Sequence, residues 1–421
     1  MATLAAPSYY ERDGRRIHMV GGRSGIAEAM QTSPADETTP PETIQWGGTI
    51  GQLQVATGPN GGKHSVLRSR PLNVKMVGGG AGSEASVLRS MEVGESFTHG
   101  GADRANPAVH KLVWTDLTIN VRASNGAYPI VTNVGTALGT FGIRRAKVLS
   151  MGTGAVVKTA VRGNASGRYV VRDIVALDGL QEYVVYCNAG AGESKIRNIQ
   201  ARDCGRGVVQ MVYRSTENSF YTIEEDDGNS LLIEDIDARD CGAAGSSAVS
   251  VTGWADQITV RGLRVDSHWN TAAISLRYDL KQTELDKPST PKVANVIGPG
   301  KLLASGHAHG SVVLDLEDST IKTGVDIGGQ ASKSSRPAIM VDSCLDLWVL
   351  SDLTTRVAAG GGNLALHVEH AGAGAIRTQA GTPVGTRAVG AFRTSGHFGG
   401  WGSMARNGRP FSADEYLSAR R

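Results

Sequence analysis

Residues 196–205 read IRNIQARDCG, and residues 233–242 repeat the phrase as IEDIDARDCG. A weaker copy, VRDIVALDG, stands at residues 171–179. In these copies the apolar positions recur as I-x-x-I-x-A. The same template also starts at Trp114, Ile143 and Val260, so the six starts are spaced by 29, 28, 25, 37 and 27 residues. A sustained period of this length indicates stacked units that share one core.

Each copy is followed by a second short apolar run, rich in Val and Ile. The series comprises residues 129–131, 155–157, 183–185, 207–209, 248–251, 272–276, 312–314, 338–340 and 364–366. Gly, Asn and Asp between the runs favour turns. Each unit is therefore predicted to contain two β-strands, which describes one coil of an all-β parallel β-helix. Leucine-rich repeats are disfavoured because the return segments show no 3.6-residue period.

The predicted domains follow from changes in this rhythm. Residues 1–43 are expected to be an N-terminal arm or linker, and residues 44–110 a β-rich cap or the first coils. Residues 111–370 are expected to form the solenoid. Residues 371–421, which are Gly-rich, are expected to form a C-terminal cap or assembly segment. A solenoid needs covered ends because its core and strand edges would otherwise be open.

Composition narrows the function classes. Of 421 residues, 55 are Gly and only 5% are aromatic, which suits narrow coils with an aliphatic core. The formal net charge is +3 without a long basic run, so nucleic acid is not an expected partner. No apolar stretch reaches the ~18 residues of a membrane span, so no membrane partner is expected. No signal peptide is visible at the start of the chain.

The four cysteines are Cys187, Cys204, Cys241 and Cys344. Cys204 and Cys241 occupy the same place in the repeated phrase and are expected to stack on strands ~4.8 Å apart. A disulfide is one interpretation. Two small apolar side chains in a ladder is the favoured one. No CxxC spacing predicts a metal site.

The repeat resembles a known superfamily. Coils of this length, with an I-x-N/D-I-x-A strand and a following V-V strand, are similar to the right-handed parallel β-helices of pectate lyases, rhamnogalacturonases and phage tailspike depolymerases. The resemblance covers residues 111–370 and is architectural, so no catalytic residue is transferred. It implies a right-handed coil that binds, and often cleaves, acidic or neutral polysaccharide.

The alternation of side chains predicts where such a groove would lie. Outward positions of the second strands form one predicted column: Lys158, Tyr186, Gln210, Ser250, Ser275 and Asp315. Further polar and aromatic residues follow directly: Asn188, Tyr213, Arg214, Arg277, Tyr278, Asp279 and Glu317. Two insertions, residues 216–230 and 281–292, are expected to flank this strip. The alternative is that outward positions of any solenoid are polar.

Side-chain chemistry predicts roles for residues of this strip and of the flanking insertion 216–230. The substrate-binding residues are predicted to be Tyr186, Gln210, Tyr213, Arg214, Arg277 and Tyr278. The acid and base of a hydrolase would come from Glu225, Asp227, Asp279 and Asp315. A lyase would instead use Lys158, Tyr186 or Tyr278 as base beside Arg277. The acidic segment 224–229 is also a candidate Ca²⁺ ligand or a solvated loop tip; no cofactor or metal residue is assigned.

The sequence thus favours a polysaccharide-degrading enzyme, either glycoside hydrolase or polysaccharide lyase, of the phage tailspike depolymerase kind. The alternatives are a non-catalytic glycan-binding spike or adhesin, and a structural virion protein. Polysaccharide is the expected partner, and an extracellular or virion-associated location is expected. A homotrimer is expected by analogy with tailspikes.

Overall fold

A computed structural model shows the fold of much of the chain. It describes residues 8–12, 15–21, 42–50, 55–57, 63–67, 73–77, 79–80, 86–89, 96–99, 109–120, 130–132, 138–149, 161–163, 167–189, 192–213, 230–242, 246–253, 255, 257–267, 272–277, 309–323, 338–349, 357–359, 366–371 and 393–394. Throughout these ranges the secondary structure is β-strand and turn, with no helix. The predicted all-β class is therefore confirmed.

The chain divides into two compact units, residues 1–189 and residues 190–421. The first unit contains fourteen strands: β1 (Ser8–Arg12), β2 (Arg15–Gly21), β3 (Glu42–Ile50), β4 (Val55–Thr57), β5 (Lys63–Leu67), β6 (Asn73–Val77), β7 (Ser86–Arg89), β8 (Ser96–His99), β9 (Val109–Asn120), β10 (Ile130–Thr132), β11 (Leu138–Leu149), β12 (Val161–Gly163), β13 (Gly167–Ala176) and β14 (Tyr183–Ala189).

The second unit contains the remaining twelve: β15 (Glu193–Arg202), β16 (Gly207–Tyr213), β17 (Ser230–Arg239), β18 (Val249–Gly253), β19 (Gln257–Ser267), β20 (Ile274–Arg277), β21 (His309–Asp315), β22 (Thr320–Thr323), β23 (Ile339–Val349), β24 (Val357–Ala359), β25 (Leu366–Ala371) and β26 (Arg393–Thr394). Parallel pairing dominates both units.

In the first unit the strands form two parallel ladders. One ladder places β11 between β9 and β13, and β9 in turn pairs with β6 and β7. The other runs β8, β10, β12, β14. Only the hairpins β1–β2 and β4–β5 are antiparallel among the described strands. Strands that are adjacent in one ladder are separated in sequence by a strand of the other, which is compatible with a β-helix-like solenoid.

The core of the first unit follows the sequence template. Trp114, Ile143 and Val171 are register partners in successive strands of the first ladder, and all three are fully buried. The next apolar positions, Leu117 and Ala146, stack in the same way. The predicted alignment of these copies is therefore confirmed residue by residue.

A left-handed residue explains why the apolar spacing is three and not two. Asp116, Arg145 and Asp173 in the first unit have φ of 60°, 50° and 58°. Each sits between the two inward positions of its copy, so the strand bends there and the alternation resets. Asp tolerates the left-handed region because its short polar side chain can bond locally. In an Arg this backbone is uncommon, and it is accompanied here by a clamp: Arg145 donates to the Asp116 carboxylate at 2.5 and 2.6 Å.

The second unit repeats this architecture. Its first ladder runs β15, β17, β19, and then β21 and β22 together; its second runs β16, β18, β20. The long strand β23 pairs with both β20 and β21 and is followed by β25 and β26, while β22 is followed by β24. Ile196 and Ile233 are register partners and fully buried, which confirms their predicted stacking. Left-handed residues again mark the bend, at Asn198, Asp235 and Gly262, with φ of 50°, 55° and 64°.

One strand of the second unit differs from the sequence prediction. The run 312–314 was expected to be a second strand of a coil. It lies instead in β21, which pairs with the N-terminal half of β19, and β22 pairs with the C-terminal half. A turn at residues 316–319 replaces the single bend residue of the other copies, and Ser319 Oγ accepts the Leu263 N–H at 2.9 Å.

The cysteines of the repeated phrase are free. Cys187, Cys204 and Cys241 are buried thiols, so the favoured interpretation of Cys204 and Cys241 as small apolar ladder residues is confirmed and the disulfide is wrong. The Gly242 N–H donates to the Cys204 carbonyl at 2.8 Å, which ties the two turns together. Asp203 and Asp240 just before them adopt φ of 53° and 49°, as turn residues do.

Candidate functional site: a charged groove on the second unit

A polar face covers the strand halves that follow the bend in β15, β17, β19 and β22. Inward positions there are Ile, Leu, Val and Ala, with Thr323 in β22, and the alternation places polar and charged residues outward. The register forms two outward columns: Gln200, Asp237, Arg264 and Thr320, then Arg202, Arg239, Asp266 and Lys322. The columns stand two residues apart along each strand, so they lie side by side on one face.

This face is concave. One depression of about 390 Å³ is lined by polar groups that include Asn198, Gln200, Asp235, Asp237, Arg264 and Asp318. A second, of about 330 Å³, is lined by Asp237, Arg239, Arg264, Val265, Asp266, Thr320 and Lys322. Because Asp237 and Arg264 line both, the two depressions form one groove. We call the residues of these two sets the charged groove.

Opposite charges alternate across the charged groove. Asp237 is the register partner of Arg264, and Arg239 is the register partner of Asp266. Along β17 the Arg239 guanidinium donates to both Asp237 carboxylate oxygens, at 3.3 and 3.4 Å. The hydrogen bond that Arg239 donates to Asp237 raises the pKa of Arg239, and the charges of Asp237 and then Asp266 raise it further. The groove therefore presents acidic and basic side chains next to each other.

Two carboxylates of the charged groove have no such partner. Within the part of the chain that the structure describes, neither Asp235 nor Asp318 forms an ion pair or a side-chain hydrogen bond. Asp235 stands at the bend of β17 and its Oδ1 lies against Gly262, where a Cβ would approach it to 2.5 Å. Asp318 stands in the turn between β21 and β22. Two carboxylates that line one depression with Arg264 offer acid–base groups and a cation for a polar substrate.

Asp315 does not belong to the column in which the sequence placed it. It is the register partner of Arg261 in the first ladder, and Arg261 in turn partners Glu234. The prediction that Asp315 shares a column with Gln210 is wrong, since β21 joins the first ladder. The Glu317 N–H donates to Asp315 Oδ1 at 3.4 Å, so this carboxylate closes a local turn.

Gln210 lies where the sequence put it in register and is less accessible than expected. Its partners are Ser250 and then Ser275, which confirms that part of the predicted column. These three residues are 7%, 8% and 3% exposed, so the expected open strip is wrong at this place. Gln210 Nε2 donates to Thr252 Oγ1 at 3.0 Å, which satisfies it within the fold.

Tyr186 lies in β14 of the first unit and is half-buried, with its ring 6.2 Å from that of Tyr183. Its register partner on β12 is Arg162. The sequence predicts Lys158 in this column; Lys158 lies outside the described residues, and the partner that the structure shows for Tyr186 is Arg162. Tyr213 and Arg277 lie in β16 and β20, but their registers place them in neighbouring columns, opposite Gly253 and Thr252.

The other assigned residues lie outside the described residues: Lys158, Arg214, Glu225, Asp227, Tyr278 and Asp279. Both predicted insertions and the acidic candidate Ca²⁺ segment also lie there. Among the described residues no group of three or more His, Cys, Asp or Glu side chains is placed to hold a metal ion. The described residues also contain no helix long and apolar enough to cross a membrane.

Sequence reasoning missed the charged groove because its residues stand inside the repeated phrase. Asp237 and Arg239 are outward-facing residues of IEDIDARDCG. The repeat pattern depends on the inward-facing residues of this phrase and does not mark the outward ones. The available signal was the change from Gln200 to Asp237 to Arg264 at one repeat position, where a purely structural repeat needs no charge.

Comparison with known proteins adds no identity to these observations: no family model, no curated protein and no solved structure matches this chain.

Proposed function

We propose that this protein is a right-handed parallel β-helix that binds polysaccharide in the charged groove and cleaves it. The observation that carries the proposal is the shared depression of Asp235, Asp318 and Arg264. One carboxyl group would act as acid and the other as base or nucleophile, and glycoside hydrolysis needs that pair. Arg264 would hold a polar or acidic group of the sugar.

The architecture supports the proposal. Stacked coils repeat every ~4.8 Å, so a groove that follows the ladder can contact successive units of a linear polymer. The outward columns, each of which contains acidic and basic residues, offer donors and acceptors along that line. The phage tailspike kind of depolymerase, an extracellular or virion-associated location and a homotrimeric assembly belong to the same proposal. A trimeric mass by light scattering is the expected result for assembly, and a monomeric mass would contradict it.

The second candidate function is glycan binding without cleavage, as in a spike or adhesin. Catalytic carboxyl groups commonly occupy sites that exclude water. Asp235 and Asp318 are both exposed, and this exposure favours the binding function. The two candidates share the charged groove and differ only in whether product forms.

The deciding experiment is a screen of acidic and neutral polysaccharides that follows reducing ends and unsaturated products together. On a confirmed substrate, Asp235→Asn and Asp318→Asn should each lower kcat by about 10²-fold or more, as expected for loss of a general acid or base. Asp203→Asn changes an exposed turn carboxylate outside the groove and should leave turnover unchanged. Binding that weakens in Arg264→Gln without any product from the unaltered protein would establish the second candidate.

The same substrate tests the strip inferred from sequence. Arg277→Ala, Tyr186→Phe and Asp315→Asn are the informative variants there. If these reduce turnover while Asp235→Asn and Asp318→Asn do not, the active site lies on the predicted strip and the charged groove is wrong.

A further inference from the structure

A pair of stacked arginines in the first unit has one long ion pair among the described residues, between Arg172 and Asp173. Arg144 on β11 and Arg172 on β13 are register partners on adjacent parallel strands, both at the position just before the bend. Strands of a ladder lie ~4.8 Å apart, so the side chains start at that separation. Like charges that start this close repel each other, and an anion between them would relieve the repulsion.

Each guanidinium has one buried donor that no described residue accepts. Arg144 Nε and Arg172 Nε are both buried atoms without a hydrogen-bond partner. No described carboxylate forms an ion pair with Arg144. Asp173 Oδ2 lies 3.6 Å from Arg172 Nε, which is beyond hydrogen-bond distance. A buried N–H donor without an acceptor lowers the stability of the fold. A ligand that accepts hydrogen bonds from these two atoms would remove that cost.

Charge counting gives the same result. Three arginines, 144, 145 and 172, stand against two aspartates, 116 and 173, which leaves one positive charge. Arg145 is already committed to Asp116 through two hydrogen bonds. Burial lowers the pKa of Arg144, and the charges of Arg172 and then Arg145 lower it further. The uncompensated charge therefore resides at Arg144.

We propose that Arg144 and Arg172 form a binding site for one singly charged oxyanion, a carboxylate or a sulfate ester, carried on a polymer. Either group can accept hydrogen bonds from both guanidinium forks. One such group would neutralise the net charge of the cluster. The site lies in the first unit and uses no residue of the charged groove, so it does not depend on whether the groove cleaves glycan.

The test measures binding of the full chain to three polymers: polygalacturonate for carboxylates, dextran sulfate for sulfate esters, and dextran as the neutral reference. The unaltered protein should bind at least one charged polymer more tightly than dextran. Arg144→Gln with Arg172→Gln should weaken that binding by about tenfold or more, since two charge-assisted contacts are lost. The charged polymer that shows the larger loss identifies the oxyanion.

Matched variants separate a built site from general attraction. Arg168→Gln removes the same charge from β13, four residues from Arg172, and should weaken binding less than twofold. Arg144→Lys with Arg172→Lys keeps the charge without the guanidinium fork and should fall between the unaltered protein and the glutamine variant.

Folding is checked by thermal unfolding, which should not begin earlier in the glutamine variant because repulsion has been removed. Equal losses in Arg168→Gln and in the glutamine pair would overturn the proposal, as would binding to charged polymers no tighter than to dextran. If cleavage fails in the separate screen while this loss persists, the oxyanion site stands and the proposed enzyme does not.

Discussion

The position just before the bend holds a compensated column in the second unit and an uncompensated one in the first. In the second unit it reads Arg197, Glu234, Arg261, Asp315, so two arginines stand against two acids and each neighbour has opposite charge. In the first unit it reads Thr115, Arg144, Arg172. The same place in the repeat thus alternates basic and acidic residues in one unit and stacks two arginines in the other.

Glu234 is the centre of the compensated column. It forms ion pairs with both Arg197 and Arg261, and its side chain is only 10% exposed. The arginines are 42% and 44% exposed, so solvent screens part of the interaction. The charges in this column hold the coils in register, whereas those in the first unit push against each other.

The largest expected effect is the removal of Glu234. Glu234→Gln should lower the free energy of unfolding by about 2 kcal/mol, below the range for a fully buried pair because both arginines reach solvent. Urea unfolding gives the measurement. Glu193→Gln breaks the exposed Glu193–Lys195 pair and is the control, with an expected loss of less than about 0.5 kcal/mol. Equal effects in the two variants would mean that the column has no special role.

The bend beside that column offers the second test. Gly262 has φ of +64°, and a Cβ there would come within 2.5 Å of Asp235 Oδ1 and 3.3 Å of Asp235 N. Gly262→Ala should therefore cost about 1–2 kcal/mol, from the left-handed backbone and the displaced carboxylate. Thermal or urea unfolding measures it. A paired Asp235→Gly change should recover part of the loss by removing the side chain; no recovery would place the whole cost in the backbone.

The inward-facing residues of both units could be predicted from sequence, because the buried positions of each coil repeat the same apolar residue types. Ile196 over Ile233 and Trp114 over Ile143 needed only the alignment of the copies. Ladder membership could not be predicted in the same way. The run at 312–314 has the same composition as the second strands. The sequence of the long segment before it does not indicate which ladder the run joins.

The outward-facing residues were less predictable, because their surroundings depend on strand pairing and on packing that the sequence does not show. The partner strand of Tyr186 contains Val161 and Arg162, and only the strand pairing shows this. Alternation places Gln210 outward, but does not show that it is buried and bonded to Thr252. The charged groove depends on which residues meet across strands, such as Asp237 and Arg264, and on the concavity of the face.

A third variant gives the column of the first unit an acid between basic residues, as in the second unit. Arg144→Glu would place an acid beside Arg172 and Arg145, and the attraction should exceed the repulsion from Asp173, whose influence on this position is the weakest of the three charges. Stability should rise by about 0.5–1 kcal/mol, since the groups are partly exposed. Urea unfolding should show the rise and the polymer assay should show loss of charged-polymer binding. A drop in stability would mean that the two columns are not interchangeable.

The smallest effect expected is the salt dependence of the uncompensated column. Arg144→Gln removes the charge that has no described acid partner, so the variant should be more stable than the unaltered protein by about 0.3 kcal/mol at low salt. At 1 M salt the screening length falls to ~3 Å, shorter than the separation of adjacent strands, and the difference should vanish. Arg168→Gln, which removes an exposed charge on the same unit, should show no comparable gain at low salt. A gain that persists at 1 M salt would come from packing and not from charge, and the repulsion assigned to Arg144 and Arg172 would then be wrong. A loss of stability at low salt would show instead that Arg144 already has its anion within the fold.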